Sequence, residues 1–319
     1  MRFPTISPFD PTIPIFDSMQ MDREVVLRQL FEFSHTRERL EAEGYRLQPV
    51  YPPKLSRSII PCHEYQPSPI VFNNTPGIRA VLVVDCEVIK TTNNRRMLAS
   101  VSVIDFFKKE TLVNSLVEPA GKVVDWFQKW SGVTQEEMES ARLSGTIMQN
   151  RQDAREEIWK FMDQNTILIG HSLAQSLDVL GIMHGNIVDT AIVASEAVLH
   201  PESETEKLRR TWSLKALSKQ SLNIEIQSKA SGHSSLLDAL AIRDVMIWCI
   251  ADGKGLRAWA GKASLENQQG MARRIEKSNL RKKKLKALRA ERKKRAQIDT
   301  KQDPKQDPKE GPKEDHKET

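Results

Sequence analysis

The chain contains 319 residues, of which 39% are hydrophobic and 28% charged, and its formal net charge is +6. This length allows one or two domains, and no apolar run approaches the roughly 18 residues that a membrane span needs, so we expect a soluble protein with no membrane partner. Prolines and Asp10 interrupt the N-terminal segment, which therefore lacks the apolar stretch of a secretory signal. The three cysteines are widely spaced, which argues against a disulfide framework and favours a reducing, intracellular compartment.

Residues 1–77 are predicted to form a Pro-rich N-terminal arm with one amphipathic helix. The helix is expected to begin after Asp22, a residue type that caps helices, and to end near Gly44. Seven prolines lie between residues 47 and 76. Each removes a backbone donor, so this stretch is a poor candidate for the interior of a helix or a sheet.

Residues 78–252 are predicted to form the folded domain. Three short β-rich segments, which begin near residues 80, 97 and 111, are separated by polar turns and predict a three-strand meander. Further along, the apolar pattern predicts helices at about 135–144 and 154–163, a strand at 166–170, a helix through Leu173, Leu177 and Leu180, and a last helix from Ser234 to about Ala251. A meander followed by alternating strands and helices predicts an α/β domain with a mixed sheet.

Two acids lie within the first of these strands, VLVVDCEVI. Asp85 and Glu87 are two positions apart, so a strand places both carboxylates on one face. Like charges beside a buried strand are costly unless a positive group compensates them, and a hard divalent ion such as Mg²⁺ takes oxygen ligands of this kind. The alternative is a strand end at which both acids meet water, although the apolar residues on both sides of the pair argue against it.

The last helix begins with the sequence GHSSLLDALAIRDVMIW. If Ser234 caps it, His233 precedes the helix, and Asp238 shares a face with Ala241 and Val245. A neutral imidazole near a metal site can take a proton from water, as general-base catalysis requires. Taken alone, such a histidine is more often structural, so the catalytic hypothesis rests on the combination of His233 with the three acids.

Several spaced motifs together resemble one known family. The first strand ends in Asp85-Cys86-Glu87, where the family shows Asp-Cys-Glu-Met. The other matching segments follow in the family's order, and they are SGVT from Ser131 to Thr134, Gly170-His171-Ser172-Leu173, VDTA at 188–191, SLKAL at 213–217 and Gly-His before Asp238. Over most of residues 80–250 the chain is similar to the RNA exonuclease (Rex-type) branch of the DEDDh 3′–5′ exonucleases.

The resemblance implies a ribonuclease-H-like mixed sheet flanked by helices, to which composition and charge add an extended N-terminal arm and a basic helical and disordered C-terminal tail. It also implies a two-metal site for Mg²⁺ or Mn²⁺, held by Asp85, Glu87 and Asp238, with His233 deprotonating the attacking water. The implied reaction is hydrolysis of phosphodiester bonds at RNA 3′ ends, in RNA processing. We expect a nuclear or nucleolar protein.

One position departs from the family pattern. The family carries an Asp five residues after the His of its second motif, and Ser176 stands there. A serine hydroxyl is a weak, neutral ligand for a hard ion, so the second ion would be held poorly. Asp178 is no substitute, because it lies about 200° further around a helix. The alternative hypothesis is therefore a catalytically impaired pseudo-exonuclease that binds RNA or a protein partner.

The remaining motif residues have less specific interpretations. We expect His171 and Asp189 to have structural roles near the site. The aromatic residues Trp126, Phe127 and Trp130 can stack on nucleobases, but core packing is the expected role.

Residues 253–319 are predicted to form a basic helix and a disordered charged tail. Residues 273–295 carry thirteen Lys or Arg and two Glu, whereas residues 1–272 carry a net charge of −3. Such a stripe attracts phosphate backbones and is also of the type read by a nuclear import receptor. The predicted nucleic-acid-binding residues are Arg273, Arg274, Arg281, Lys282, Lys283 and Lys284. A third hypothesis is a binding protein in which this tail alone is functional.

Overall fold

A computed structural model of the protein describes residues 22–48, 60–71, 75–92, 95–227 and 233–299; for Cys62 and residues 293–299 it describes the backbone alone. The predictions for residues 1–21, for much of the Pro-rich stretch and for the tail after Asp299 therefore lie outside the described residues. The chain divides into two compact units, one ending at Ala263 and the other beginning at Ser264. Within the described residues, no helix is long and apolar enough to cross a membrane.

Residues 22–48 contain two short α-helices, α1 (Arg23–Phe33) and α2 (Arg37–Ala42). The prediction of a single helix is therefore wrong. Asp22 caps α1 as expected, accepting a hydrogen bond from the Glu24 N–H at 2.8 Å. The break follows at Ser34 because the N–H of the next residue, His35, donates to Ile187 in the sheet rather than to its own helix, at 3.1 Å. A tertiary contact thus overrides the local helical pattern.

In the described part of the chain, eight strands form two sheets. Their bounds are β1 (Gln66–Pro67), β2 (Val81–Thr91), β3 (Arg95–Asp105), β4 (Thr111–Leu116), β5 (Val123–Asp125), β6 (Ile167–Gly170), β7 (Ile182–Met183) and β8 (Ile187–Asp189). The main sheet has the order β4-β3-β2-β6-β8, with β5 also paired to β2. The first three of its strands pair antiparallel, as the predicted meander requires, and β6 and β8 pair parallel. The predicted α/β domain with a mixed sheet is confirmed.

The helices after the meander are α3 (Gln128–Ser131), α4 (Gln135–Ser144), α5 (Arg151–Trp159), α6 (Ala174–Leu180), α7 (Thr190–Leu199), α8 (Leu214–Leu217), α9 (Ser235–Ala251) and α10 (Gly253–Asp299). Local caps explain the boundaries of α4 and α9, because Thr134 forms a capping box with Glu137 and the Ser234 side chain accepts from the Leu237 N–H. The helix α5 starts earlier than predicted because Asn150 caps it.

Alternate residues of β2 enter two different cores. Val81 and Val83 pack in a cluster with residues of α9, whereas Leu82 and Val84 pack on the other face in a cluster with residues of α5 and α6. A strand buried on both faces appears in the sequence as a continuous apolar run, and β2 shows such a run. Val26 and Leu30 of α1 belong to the first cluster, so this helix covers part of the sheet.

In the second unit, the described residues from Ser264 are helical up to Asp299. The side chains of residues 271–292 are all exposed, as a basic surface requires.

Candidate active site

The alternation of β2 decides where its two acids point. Val81 and Val83 face α9, and Asp85 and Glu87 continue the same odd-numbered series. The pairing of β2 with β3 places Ser102 opposite Asp85 and Ser100 opposite Glu87. The register shifts after Glu87, so a bulge ends this part of the ladder beside the acids.

A buried group of hydroxyls holds the start of α9 beside the two acids. The Ser235 hydroxyl lies 2.9 Å from that of Ser100 and 2.8 Å from that of Ser102, which in turn donates to Asn114 at 3.0 Å. Ser100, Ser102 and Ser235 are all buried. Because Ser235 is the first residue of α9, these contacts place the first turn of the helix, with Asp238, over the acid-bearing part of β2.

Three of the predicted site residues meet here. Glu87, His233 and Asp238 each offer one ligand atom, and these atoms all lie within 4.8 Å of one another. His233 Nδ1 is 3.4 Å from Asp238 Oδ2. The same oxygen accepts a hydrogen bond from the Gln227 side-chain amide at 2.8 Å. No motif singled out Gln227, although its backbone adopts a positive φ of 53°, which is uncommon for a residue other than glycine and is often found at functional sites.

The electrostatics of the group disfavour three ionised acids. Burial, followed by the charges of Asp85 and Asp238, raises the pKa of Glu87 from its ordinary value of 4.5 to about 10. Burial and the charge of Asp238 also raise the pKa of Asp85 well above its usual range. Glu87 Oε1 is buried and has no hydrogen-bond partner among the described residues. A cation at this place would compensate the carboxylates and supply the missing partner of Glu87, so the donor set fits a hard metal ion.

Ser176, in α6, contacts β2 at Cys86, the residue between the two acids. Its hydroxyl is hydrogen-bonded to the Cys86 thiol, and Cys86 belongs to the even-numbered series that faces α6. Burial raises the pKa of that thiol well above its usual range. Asp178 accepts a hydrogen bond from the Tyr65 hydroxyl, so its carboxylate is engaged elsewhere, as the helical geometry predicted.

Asp189 and His171 have structural partners. The Asp189 carboxylate accepts hydrogen bonds from the N–H groups of Ser172 and Leu173, at 2.9 and 3.1 Å, and from the Tyr45 hydroxyl at 2.6 Å. His171 Nδ1 lies 2.9 Å from the Thr190 hydroxyl. Burial lowers the pKa of His171. These contacts agree with the structural roles expected for both residues.

The aromatic residues before α4 divide into two kinds. Trp126 is partly buried and packs against a small core that contains Ile89 and Met138, as expected. Trp130 is 59% exposed, and the Lys129 ammonium lies 5.4 Å from the centre of its ring. Core packing is therefore the wrong expectation for Trp130.

The fold and the site together define a class of protein: a ribonuclease-H-like domain with an acidic strand, a histidine and an acid on the last helix. The solved structure of the Saccharomyces cerevisiae Pan2 pseudoubiquitin hydrolase–RNA exonuclease module with AAGGAA RNA has the same fold, at a TM-score of 0.51 and 17% identity, over 65% of this chain and 34% of that one. This match confirms the predicted fold class.

The curated relatives give the particular kind of domain. An uncharacterised exonuclease of Schizosaccharomyces pombe is 29% identical over 261 residues, which are 79% of this chain and 38% of that protein. RNA exonuclease 3 of Candida glabrata is 33% identical over 172 residues, 53% of this chain and 38% of that protein. No family model matches the chain. The chain spans less than half the length of these relatives. The resemblance drawn from the motifs is confirmed, because this domain is homologous to domains of proteins named exonuclease or RNA exonuclease.

Proposed function

We propose that this protein is a 3′–5′ exoribonuclease that releases nucleoside monophosphates from RNA 3′ ends. The observation that carries the proposal is the convergence of Glu87, His233 and Asp238 within 4.8 Å, next to Asp85, in a domain homologous to those of RNA exonucleases. RNA rather than DNA as the substrate is inferred from the names of these relatives. The same domain, acting at RNA ends, fits a role in RNA processing.

Asp85, Glu87 and Asp238 are the residues that would hold Mg²⁺ or Mn²⁺, because hard ions prefer carboxylate oxygens. A divalent ion bound there supplies Lewis-acid stabilisation of the negative charge that develops on the phosphate during displacement. The buried, unpaired Glu87 Oε1 supports this assignment, as do the pKa values of Asp85 and Glu87, which are raised when no cation is present.

His233 is assigned as the general base. Its Nδ1 faces Asp238 Oδ2, and an acid in that position favours the tautomer with the proton on Nδ1. The other ring nitrogen, Nε2, is then unprotonated and can accept a proton from the attacking water. Gln227 and His233 both contact Asp238 Oδ2, so Gln227 fixes the orientation of the carboxylate against which the imidazole is held.

Ser176 gives this site fewer carboxylates than the family pattern implies. Its hydroxyl contacts the Cys86 thiol, and a neutral hydroxyl binds a hard ion weakly. We infer a site that binds a second ion weakly and therefore requires a high concentration of Mg²⁺ or Mn²⁺ for full activity.

The basic segment is proposed to bind the RNA backbone. Residues 273–295 carry thirteen cations and two acids, and the side chains as far as residue 292 are exposed. Phosphates attract such a surface without regard to base sequence. The same residues suit recognition by a nuclear import receptor, which supports the proposal of a nuclear location.

The test is cleavage of a 5′-labelled oligoribonucleotide by the full-length chain across a range of Mg²⁺ and Mn²⁺ concentrations. We expect a ladder that shortens from the 3′ end, no cleavage of a circular RNA of the same sequence, and loss of activity in Glu87→Gln. The exposed Glu136→Gln is the matched control and should keep full activity. Linear RNA that stays intact with both metals would refute the proposal, and so would unchanged activity in Glu87→Gln.

The basic segment is tested separately, by replacing Lys282, Lys283 and Lys284 together. Glutamine at these positions should weaken RNA binding and reduce the dependence of binding on salt, whereas arginine preserves the charge and should change neither. Equal salt dependence in the two triple variants would contradict phosphate binding by this segment.

A further inference from the structure

Gly132 ends the short helix α3 with its backbone in the left-handed region, at φ 65°. Its N–H donates to the Gln128 carbonyl at 2.9 Å. The position therefore needs a residue that tolerates a positive φ, and glycine does so at the lowest cost. The turn alone does not require glycine, since other residue types also end helices in this conformation.

A second constraint acts on Gly132, because the backbone of His233 lies directly against it. A Cβ atom added to Gly132 would lie 1.9 Å from the His233 carbonyl oxygen, 3.0 Å from its carbonyl carbon and 3.2 Å from its nitrogen. All three are backbone atoms, so no side-chain rotation can relieve the overlap. Any larger residue at this position must move one backbone segment away from the other.

The segment around Gly132 is firmly held. Ser131 is buried, and its hydroxyl donates to the Trp126 carbonyl at 2.7 Å and accepts from the Val133 N–H at 3.1 Å. Val133 is packed with Met138 in the small core beneath α4. These contacts on both sides of Gly132 leave it little room to recede.

The other side of His233 is held as well. Ser234 caps α9, and the Ser235 hydroxyl contacts Ser100 and Ser102 of β3. The displacement caused by a side chain at position 132 therefore falls on His233 itself. Its imidazole, 3.4 Å from Asp238 Oδ2, would move relative to the acids.

We propose that Gly132 is a positioning residue for His233, and that its missing side chain allows the close backbone approach that places the imidazole beside Glu87 and Asp238. This inference rests on the proposed function for the catalytic role of His233. It assigns the Ser131–Thr134 segment a positioning role that the sequence alone does not reveal.

Gly145 provides a matched control. It also ends a helix, α4, at a nearly identical φ of 67°, but an added Cβ there would meet nothing within 4 Å. Alanine at either position bears the same left-handed backbone strain, and only Gly132→Ala adds the overlap with His233. We expect both variants to be less stable to urea. Only Gly132→Ala should also lower kcat, by about tenfold or more, which is part of the ~10²–10⁴-fold rate enhancement that a general base contributes. The KM for RNA should stay within about twofold of that of Gly145→Ala, because ground-state binding is retained.

A second measurement does not depend on activity. In the metal-free protein at fixed pH, the imidazole signals of His233, assigned with His233→Asn, should shift in Gly132→Ala and stay in place in Gly145→Ala. If Gly132→Ala does not fold, Gly132→Asn and Gly145→Asn provide the same comparison, because asparagine tolerates the left-handed region yet carries a Cβ. Equal kcat in the two members of a pair, with unmoved His233 signals, would overturn the inference. A wild-type protein without nuclease activity would overturn the proposed function instead, and the His233 signals would still decide the role of Gly132.

Discussion

Replacing Glu87 by glutamine should stabilise the metal-free protein while abolishing its activity. Burial and the charges of Asp85 and Asp238 raise the pKa of Glu87 from 4.5 to about 10, so at pH 7 the folded state holds this carboxyl protonated while the unfolded chain ionises it. For an acid whose pKa is raised by folding, stability is greatest below the unfolded pKa and is lost as pH rises towards the folded one.

The size of the effect follows from that pKa difference. Between pH 4.5 and pH 7 the contribution of Glu87 to the stability of metal-free wild type should fall by up to ~1.4 kcal/mol per pH unit, about 3 kcal/mol in total. Glutamine has nearly the same shape and no charge. Metal-free Glu87→Gln should therefore lack this pH dependence, and at pH 7 it should be more stable than wild type by up to about 3 kcal/mol.

Metal should narrow this difference. At Mn²⁺ concentrations near 100 times the dissociation constant, wild type should gain about 2.7 kcal/mol, and Glu87→Gln should gain less because one ligand is gone. The assay is urea unfolding in EDTA and in Mn²⁺, at several values between pH 5 and pH 8, with Glu136→Gln as the control. Identical pH dependence of wild type and Glu87→Gln in EDTA would refute the reasoning, because it would mean that Glu87 is ionised in the folded protein.

Three further predictions concern groups around the acids. Ser235→Ala leaves the hydroxyls of Ser100 and Ser102 without their shared partner. The variant should have a free energy of unfolding about 1–3 kcal/mol lower than that of wild type, measured by urea unfolding. An unchanged urea midpoint would contradict a stabilising role for this contact. Gln227→Leu removes the amide donor to Asp238 and should lower kcat by roughly tenfold, with less effect on the KM for RNA. Gln227→Glu should lower kcat further because it adds a fourth acid. Equal kinetic constants in Gln227→Leu and wild type would show that Gln227 has no role in the site. Ser176→Asp adds a carboxylate at a buried position, so it should destabilise the protein in EDTA and lower the Mn²⁺ concentration needed for half-maximal cleavage. In the control variant Ser176→Asn, both effects should be smaller. A higher Mn²⁺ requirement in the Asp variant would count against a metal role for this position.

The sequence by itself determined much of the fold and named the core of the site. Ser234 predicted where the last helix begins, because capping is a local interaction of one side chain with backbone groups two or three residues away. The alternation of β2 placed Asp85 and Glu87 on one face, since the period of a strand is also local. The helical period likewise predicted that Asp238 lies on the buried face of its helix.

Only the tertiary structure decided how these pieces meet. The sequence does not reveal that Ser235 would bridge Ser100 and Ser102, because this contact depends on the register of β2 and β3 and on the docking of a helix that follows more than a hundred residues later. The break before His35, the Gln227 contact and the exposure of Trp130 likewise depend on distant partners or on packing. Local patterns fix which face a side chain takes on its own element. The distances between elements follow from packing and pairing across the whole domain, and the Glu87–His233–Asp238 group depends on those distances.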